Sequence, residues 1–346
     1  KEEGGGGEAW CFTGEMGRRP EQEGRNDAID TVSWFLAMVE YDPAHSEYGT
    51  DHTVLLKSHR IVSLFPMTIQ DARKMVIANS AEEVLVYVHG FATPFANAVR
   101  SGAIYARALS PSKLVVVFTW PSDPHMTVTS SWMVTKIIRD FERNYTIAEQ
   151  HMHASILALE AFAQVVERWT RECSKSVLWK AHSMGNYLLL NCMDRFSWGR
   201  EDALDTGPTN TPSLICRTFP RCILDAPDVP TWFFQSTVER CAERGVKFLH
   251  LYNPNDKATD LGRRRRSIEG KYPGNDKIVT HMNVENVSCA GARYSSAGHD
   301  YGQVDGFVLM EQRDFLARVP PQQRGFLRPD DNSSGEDDNS YVLRIQ

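Results

Sequence analysis

The sequence predicts an α/β fold with a mainly parallel central sheet and helices on both faces. Two observations carry this. Apolar runs of strand length alternate with amphipathic stretches at helical spacing over roughly 230 residues. The composition, 42% apolar and 24% charged in 346 residues, supplies a large buried core. Length alone would suit two domains or one large one.

The elements follow in order. Residues 1–30 contain Gly4 to Gly7 and a polar stretch from Gly14 to Asp27, too poor in apolar surface to offset chain entropy, and are expected to be mobile. Residues 31–80 are expected to add edge strands, with Val54 to Leu64 strand-like and Ile69 to Asn79 helical. Val84 to Val88 is an apolar run closed by His89-Gly90. Phe95, Ala98, Val99, Gly102, Ala103, Ala106 and Leu109 then recur at helical spacing. Leu114 to Trp120 is a valine-rich buried strand. Thr146 to Trp169 is a long amphipathic helix, with Ile156, Leu159, Ala163, Val166 and Trp169 on one stripe. Ser176 to Ala181 is a strand, and Met184 to Phe196 a helix joined to it almost without a loop. Cys222 to Ala226 and Lys247 to Tyr252 are strands on either side of a helix around Thr231 to Glu243, and Val284 to Ser288 is a last strand. Residues 319–346, with DDNSSGEDDNS, read as a mobile acidic tail.

Several classes of function drop out. No stretch approaches the roughly 20 apolar residues of a membrane helix. Thirty-eight Lys and Arg against 44 Asp and Glu give a net charge of −6, which calls for no nucleic acid. Seven cysteines without C-x-x-C spacing suggest scattered thiols in a reducing compartment, not a disulfide scaffold or zinc module. Lys1 to Arg25 has no apolar signal core, so a cytoplasmic location is expected. No glycine-rich phosphate loop or dinucleotide fingerprint follows a strand, and no cofactor or metal is expected.

In sheets of this kind, ligands bind beyond the carboxyl ends of the strands. Ala181-His182-Ser183-Met184-Gly185 sits there, between a strand and a helix. This small-x-Ser-x-small pattern is a nucleophile elbow, whose strained turn lifts the serine hydroxyl off the sheet. The flanking residues must be small because strand and helix pass closely, and Ala181 meets that demand. The Met184 N–H, at a helix N-terminus, can face a developing oxyanion. The Phe91 N–H, after the His89-Gly90 bend, is the second donor, and His89 is expected to orient that loop by hydrogen bonds.

A serine needs a base, and the base an acid, in the chain order Ser, acid, His. Asp256, in the turn after Lys247 to Tyr252, is the first candidate for the acid, and Asp228 the second. Asp225 lies inside a strand and reads as structural. His299, in a glycine-flanked loop past the last strand, is the expected base. His281 precedes that strand and falls at the wrong edge. His151 and His153 diverge on a helix, and His250 alternates inside a strand. Trp120 and His182 are candidates for contact with substrate, Trp120 as a wall of the acyl pocket or else packed under the loop, and His182 beside the nucleophile. Asp123 to Asn144 is placed as a lid would be, or is a plain extra helix. Arg263 to Arg266 reads as a solvated face or, less simply, as an anion site.

Taken together, VLVYVHGF (Val84 to Phe91), VVFTWPS (Val116 to Ser122), AHSMGNYLL (Ala181 to Leu189), LDAPDV (Leu224 to Val229), YNPNDKA (Tyr252 to Ala258) and GHDY (Gly298 to Tyr301) resemble the α/β-hydrolase superfamily. Most closely they resemble its bacterial family DUF900, over about Val84 to Leu316. The elbow is a superfamily feature; the tryptophan-proline-serine is more specific to the family. Two positions depart from the family pattern, Ala92 after HGF and the charged Lys180 before the elbow. The resemblance implies a single α/β-hydrolase fold spanning residues 81–318, a triad of Ser183, Asp256 and His299, and hydrolysis without a defined substrate. Carboxylic ester hydrolysis of a small molecule through an acyl-enzyme is the expected activity, because esters need the least assistance to the leaving group. Acyl transfer by the same triad and a non-catalytic binding role are the alternatives, and the oligomeric state is left open.

Overall fold

The apolar runs of the sequence become neighbouring strands in the computed structural model, which describes residues 9–16, 32–42, 52–109, 113–122, 134–197, 213–292, 298–330 and 339–343. The chain begins with β1 (Ala9–Met16), β2 (Val32–Tyr41), α1 (His52–Ser58), β3 (His59–Met67) and α2 (Ile69–Ala78). The central part runs β4 (Glu83–Val88), α3 (Phe95–Leu109), β5 (Lys113–Phe118), α4 (Val134–Glu172), β6 (Ser176–His182) and α5 (Met184–Ser197). It continues through α6 (Leu214–Thr218), β7 (Arg221–Asp225), α7 (Thr231–Glu243), β8 (Lys247–Tyr252), α8 (Lys257–Arg265) and β9 (Val284–Ser288). The last elements are α9 (Tyr301–Val304), α10 (Gly306–Leu316), β10 (Leu327–Pro329) and β11 (Ser340–Leu343).

The strands form one sheet in the order β10-β11-β9-β8-β7-β6-β4-β5-β1-β2-β3. The eight from β11 to β1 run parallel, and β10, β2 and β3 add antiparallel pairs at the two ends. This is the mainly parallel α/β-hydrolase sheet that the motifs imply.

The inner strands are apolar on both faces because both faces are covered. Val84, Val86 and Val88 of β4 face one core with Val116, Phe118, Trp179 and Leu224. The helices α4, α5 and α7 close that core. Leu85 and Tyr87 face the other core with Val115, Val117, Ile223 and Leu249, under α3 and α10. On α4, Ala148, Met152, Leu159, Phe162, Val166 and Trp169 are buried at helical spacing. Phe162 stacks on Trp34 at 5.5 Å and meets Phe118 at 5.2 Å between ring centres. Burying each such side chain contributes about 1.5–3 kcal/mol, so this stripe fixes α4 against the sheet.

Four expectations change. Ala9–Met16 is no free end: it pairs in parallel with β5 and antiparallel with β2. The segment from Val54 to Leu64 is half helix, since α1 ends at Ser58, where the serine hydroxyl bonds back to the Leu55 carbonyl at 2.7 Å. The long helix starts at Val134, not Thr146, so the later part of Asp123 to Asn144 is its first turns, and residues 123–133 lie outside the described residues. The C-terminal segment is not a detached tail. Leu327–Pro329 and Ser340–Leu343 complete the sheet beside β9, burying Leu327, Tyr341 and Leu343, while the acidic residues 331–338 lie outside the described residues.

Candidate active site

Ser183 is the one residue between β6 and α5, and its φ is 54°. A serine in that left-handed region costs about 1–3 kcal/mol and persists only where its surroundings hold it. Its N–H donates to the Asp225 carbonyl at 3.0 Å, and its own carbonyl accepts from the Asn186 N–H and side-chain amide, both at 3.0 Å. The glycines nearby are there for space. A Cβ on Gly185 would lie 2.4 Å from the His89 carbonyl oxygen, and one on Gly90 would lie 2.8 Å from Cβ of Ser183. The elbow and the loop after β4 are therefore in direct contact.

The expected acid and base meet. Asp256 is the N-cap of α8, and its Oδ1 accepts from the N–H groups of Ala258 at 2.9 Å and Thr259 at 3.1 Å. Its Oδ2 accepts from Nδ1 of His299 at 2.7 Å. That bond commits the Nδ1 proton and leaves Nε2 of His299 as the ring's other edge. Burial opposes a charge on His299. The Asp256 carboxylate, helped by Asp228 and Asp225, more than offsets it and raises the imidazole to about 9.

The loop carrying Phe91 is fixed by His89, as expected. The Trp120 N–H donates to Nε2 of His89 at 3.2 Å, so Nδ1 carries the proton and donates to the Gly90 carbonyl at 3.1 Å. Burial pulls the His89 imidazole down to about 4, which keeps it neutral. Ala92, with φ 50°, donates from its N–H to the Ser122 carbonyl at 3.0 Å. The Phe91 ring packs against Phe141 and Tyr145 of α4 at 5.7 and 5.3 Å. Met184 opens α5, so its N–H is one of those a helix leaves without an internal partner.

Other side chains pack around or away from this group. Trp120 is 4% exposed, lies flat on His89 at 5.6 Å and donates its indole N–H to the His89 carbonyl at 2.8 Å. It supports the loop from beneath, with one ring face on His89 and its polar edge bonded to the His89 carbonyl. His182 donates from Nε2 to the His299 carbonyl at 2.9 Å. Lys180 is fully buried and bonded to Asp225 at 2.7 Å, over the Tyr105 ring, which explains a charge one residue before the elbow. His250 bonds Asn286 and the Pro273 carbonyl, and His281 lies before β9, both outside the group around Ser183.

Asp228, the second candidate acid, is engaged away from His299. Its carboxylate accepts from the hydroxyls of Tyr145 and Tyr272 and from Nη1 of Arg266, the last two at 2.6 and 2.5 Å. Burial resists its ionisation, but Arg266 and the two tyrosines outweigh that and hold it below the usual carboxylate range. The arginine run is therefore split. Arg264 is exposed beside Asp260, whereas Arg265 and Arg266 pair with Glu149, each at 3.1 Å. Sequence reasoning missed Tyr145, Tyr272 and Asn186. Only Asn186 left a local signal, being three residues past the serine. Among the described residues no cluster of His, Cys, Asp and Glu is placed to hold a metal ion, and no helix is long and apolar enough to cross a membrane.

Comparison with known proteins gives a family and a fold. The family model described as α/β hydrolase of unknown function, DUF900, matches residues 68–269, more than half of the chain. No curated protein matches. Among solved structures, esterase B from Lactobacillus rhamnosis with a tributyrin phosphonate is similar at 10% identity and a TM-score of 0.39, covering 70% of this chain and 75% of that one. The siderophore hydrolase EstB from Aspergillus fumigatus is similar at 11% identity and a TM-score of 0.33, covering 82% and 94%. An esterase from Pyrococcus furiosus is similar at 11% identity and a TM-score of 0.30, covering 88% and 95%.

Proposed function

Because the chain belongs to the α/β hydrolases of family DUF900, we propose that it is a serine hydrolase cleaving carboxylic esters through an acyl-enzyme on Ser183. The observation that carries this reading is the strained elbow of Ser183, whose preceding residue His182 bonds the backbone of His299, a histidine itself held by a helix-capping aspartate. In this reading Ser183 Oγ attacks the ester carbonyl while Nε2 of His299 takes its proton. Asp256 holds the imidazole in one tautomer and stabilises the cation. The N–H groups of Phe91 and Met184 hold the oxyanion. His299 then gives its proton to the leaving alcohol, and water activated by the same imidazole releases the acid.

A serine-directed fluorophosphonate probe tests it. The wild-type chain should be labelled, and Ser183→Ala should not. Labelling that persists in Ser183→Ala would refute the nucleophile. A series of p-nitrophenyl esters of increasing acyl length should be hydrolysed by the wild type, with kcat lost by the same substitution.

A further inference from the structure

We propose that His182, the residue before the nucleophile, is a positioning residue whose Nε2–H ties the backbone of His299 to the end of β6. The proposal rests on the catalytic reading of Ser183 and His299 above. A carbonyl oxygen only accepts, so the 2.9 Å contact with the His299 carbonyl places the His182 proton on Nε2. Burial and the neighbouring charge of His299 pull the His182 imidazole down to about 4, so it is neutral and has this one proton to give. Its other edge is closed in. Nδ1 lies 3.2 Å from where a Cβ on Gly90 would stand, and the ring centres of His182 and His299 are 4.7 Å apart. The imidazole thus stands between the loop carrying Phe91 and the loop carrying the base.

The second tether has a geometric purpose. Asp256 holds His299 by one ring nitrogen, which leaves the ring free to swing about that bond. The preceding residue, Gly298, has φ 69° and is held through its carbonyl by the Asn253 side chain only at 3.4 Å. His182 adds a firm hold on the His299 backbone from a different element. It belongs to β6, where it pairs with Asp225 of β7. Two tethers from two elements set the direction of Nε2, and an error of about 1 Å in such a group costs about 100-fold in rate.

Three substitutions test this. The amide nitrogen of Gln occupies roughly the place of Nε2, and that of Asn the place of Nδ1. His182→Ala and His182→Asn should each lower kcat about 100-fold on a p-nitrophenyl ester, with KM within about twofold of wild type. His182→Gln should stay within about fivefold of wild type and keep its pH profile. The rates are taken per active site titrated with the fluorophosphonate, so partial misfolding does not count as lost kcat. If the alanine variant does not fold, the Asn and Gln pair decides, since both are polar and small enough for the site. Equal kcat for Asn and Gln, an effect confined to KM, or full kcat in His182→Ala overturns the proposal while leaving Ser183 as nucleophile. A wild type that neither labels nor hydrolyses overturns both.

Discussion

Asp256 serves two masters with two oxygens: Oδ1 caps α8 and Oδ2 holds His299. Asp256→Asn cannot do both, because an amide oxygen turned to the helix presents an NH2 group to Nδ1–H of His299. On the catalytic reading, kcat should fall about 10⁴-fold, while Asp228→Asn should leave the base in its tautomer and cost far less. Steady-state kinetics of the two variants check this, and a larger loss for Asp228→Asn would reverse the assignment. The pH profile tests the same pair. A base works only when neutral, and His299 is raised to about 9, so kcat/KM should climb with pH and level off only above that. Asp256→Asn should move the limb to lower pH. The sign for stability is the opposite one. A raised imidazole favours the folded state below its ordinary value of 6.5, and that contribution fades as pH rises through about 9. At this scale the sequence was legible where chain order constrains chemistry: it places Asp256 ahead of His299, and the two side chains are bonded. Asp228 and Asp256 both follow strands, and only their side-chain partners on α4 and around Tyr272 separate them. For Trp120 the sequence left two readings, pocket wall or packing under the loop, because an aromatic after a strand looks alike from either side of a loop.

The elements that were easiest to read are those with apolar faces, such as β4, β5 and α5. Elements held by other forces were not. The segment Lys257–Arg265 buries only Thr259 and Gly262, so α8 has no apolar stripe to see; its cap and its ion pairs fix it. Lys180 looked out of place in a core strand until its partner Asp225, on the adjacent strand, was known. Both side chains are fully buried, so Lys180→Met should leave an uncompensated carboxylate under the elbow and cost about 3–5 kcal/mol in urea unfolding. Adding Asp225→Asn should return more than half of that, and a double variant no better than the single would refute the pairing as the cause. The elbow packing makes a sharper claim. Gly185→Ala puts a methyl group 2.4 Å from the His89 carbonyl, so helix and loop must part. A loss of about 1–3 kcal/mol is expected, with fluorophosphonate labelling falling further than stability does.

Across the whole molecule, two segments that composition alone assigned to mobile ends are strands of the sheet, β1 within it and β10 with β11 at one end. Short strands in polar surroundings, such as Leu327–Pro329, carry too little periodicity to be seen without their neighbours. The C-terminal one is locked by Arg324, which is buried and pairs with Glu311 at 2.5 Å and Glu285 at 2.6 Å. Burial raises Glu311 to about 7 even though Arg324 draws it down. Arg324→Met should therefore cost about 3–5 kcal/mol at pH 8 and clearly less at pH 6, where Glu311 can take up a proton and stop being an unpaired charge. Urea unfolding at the two pH values reads this, and an equal cost at both would refute it. The other end has a consequence for how the protein is made. β1 comes first in the chain but lies inside the sheet, with Cys11 opposite Val115 of β5 and Ala9 opposite Val39 of β2. Roughly a hundred residues must leave the ribosome after β1 before its parallel partner exists, whereas its antiparallel partner follows soon after. A nascent chain would then hold β1 and β2 as a waiting hairpin, whose open side joins the growing sheet only once β5 has been synthesised.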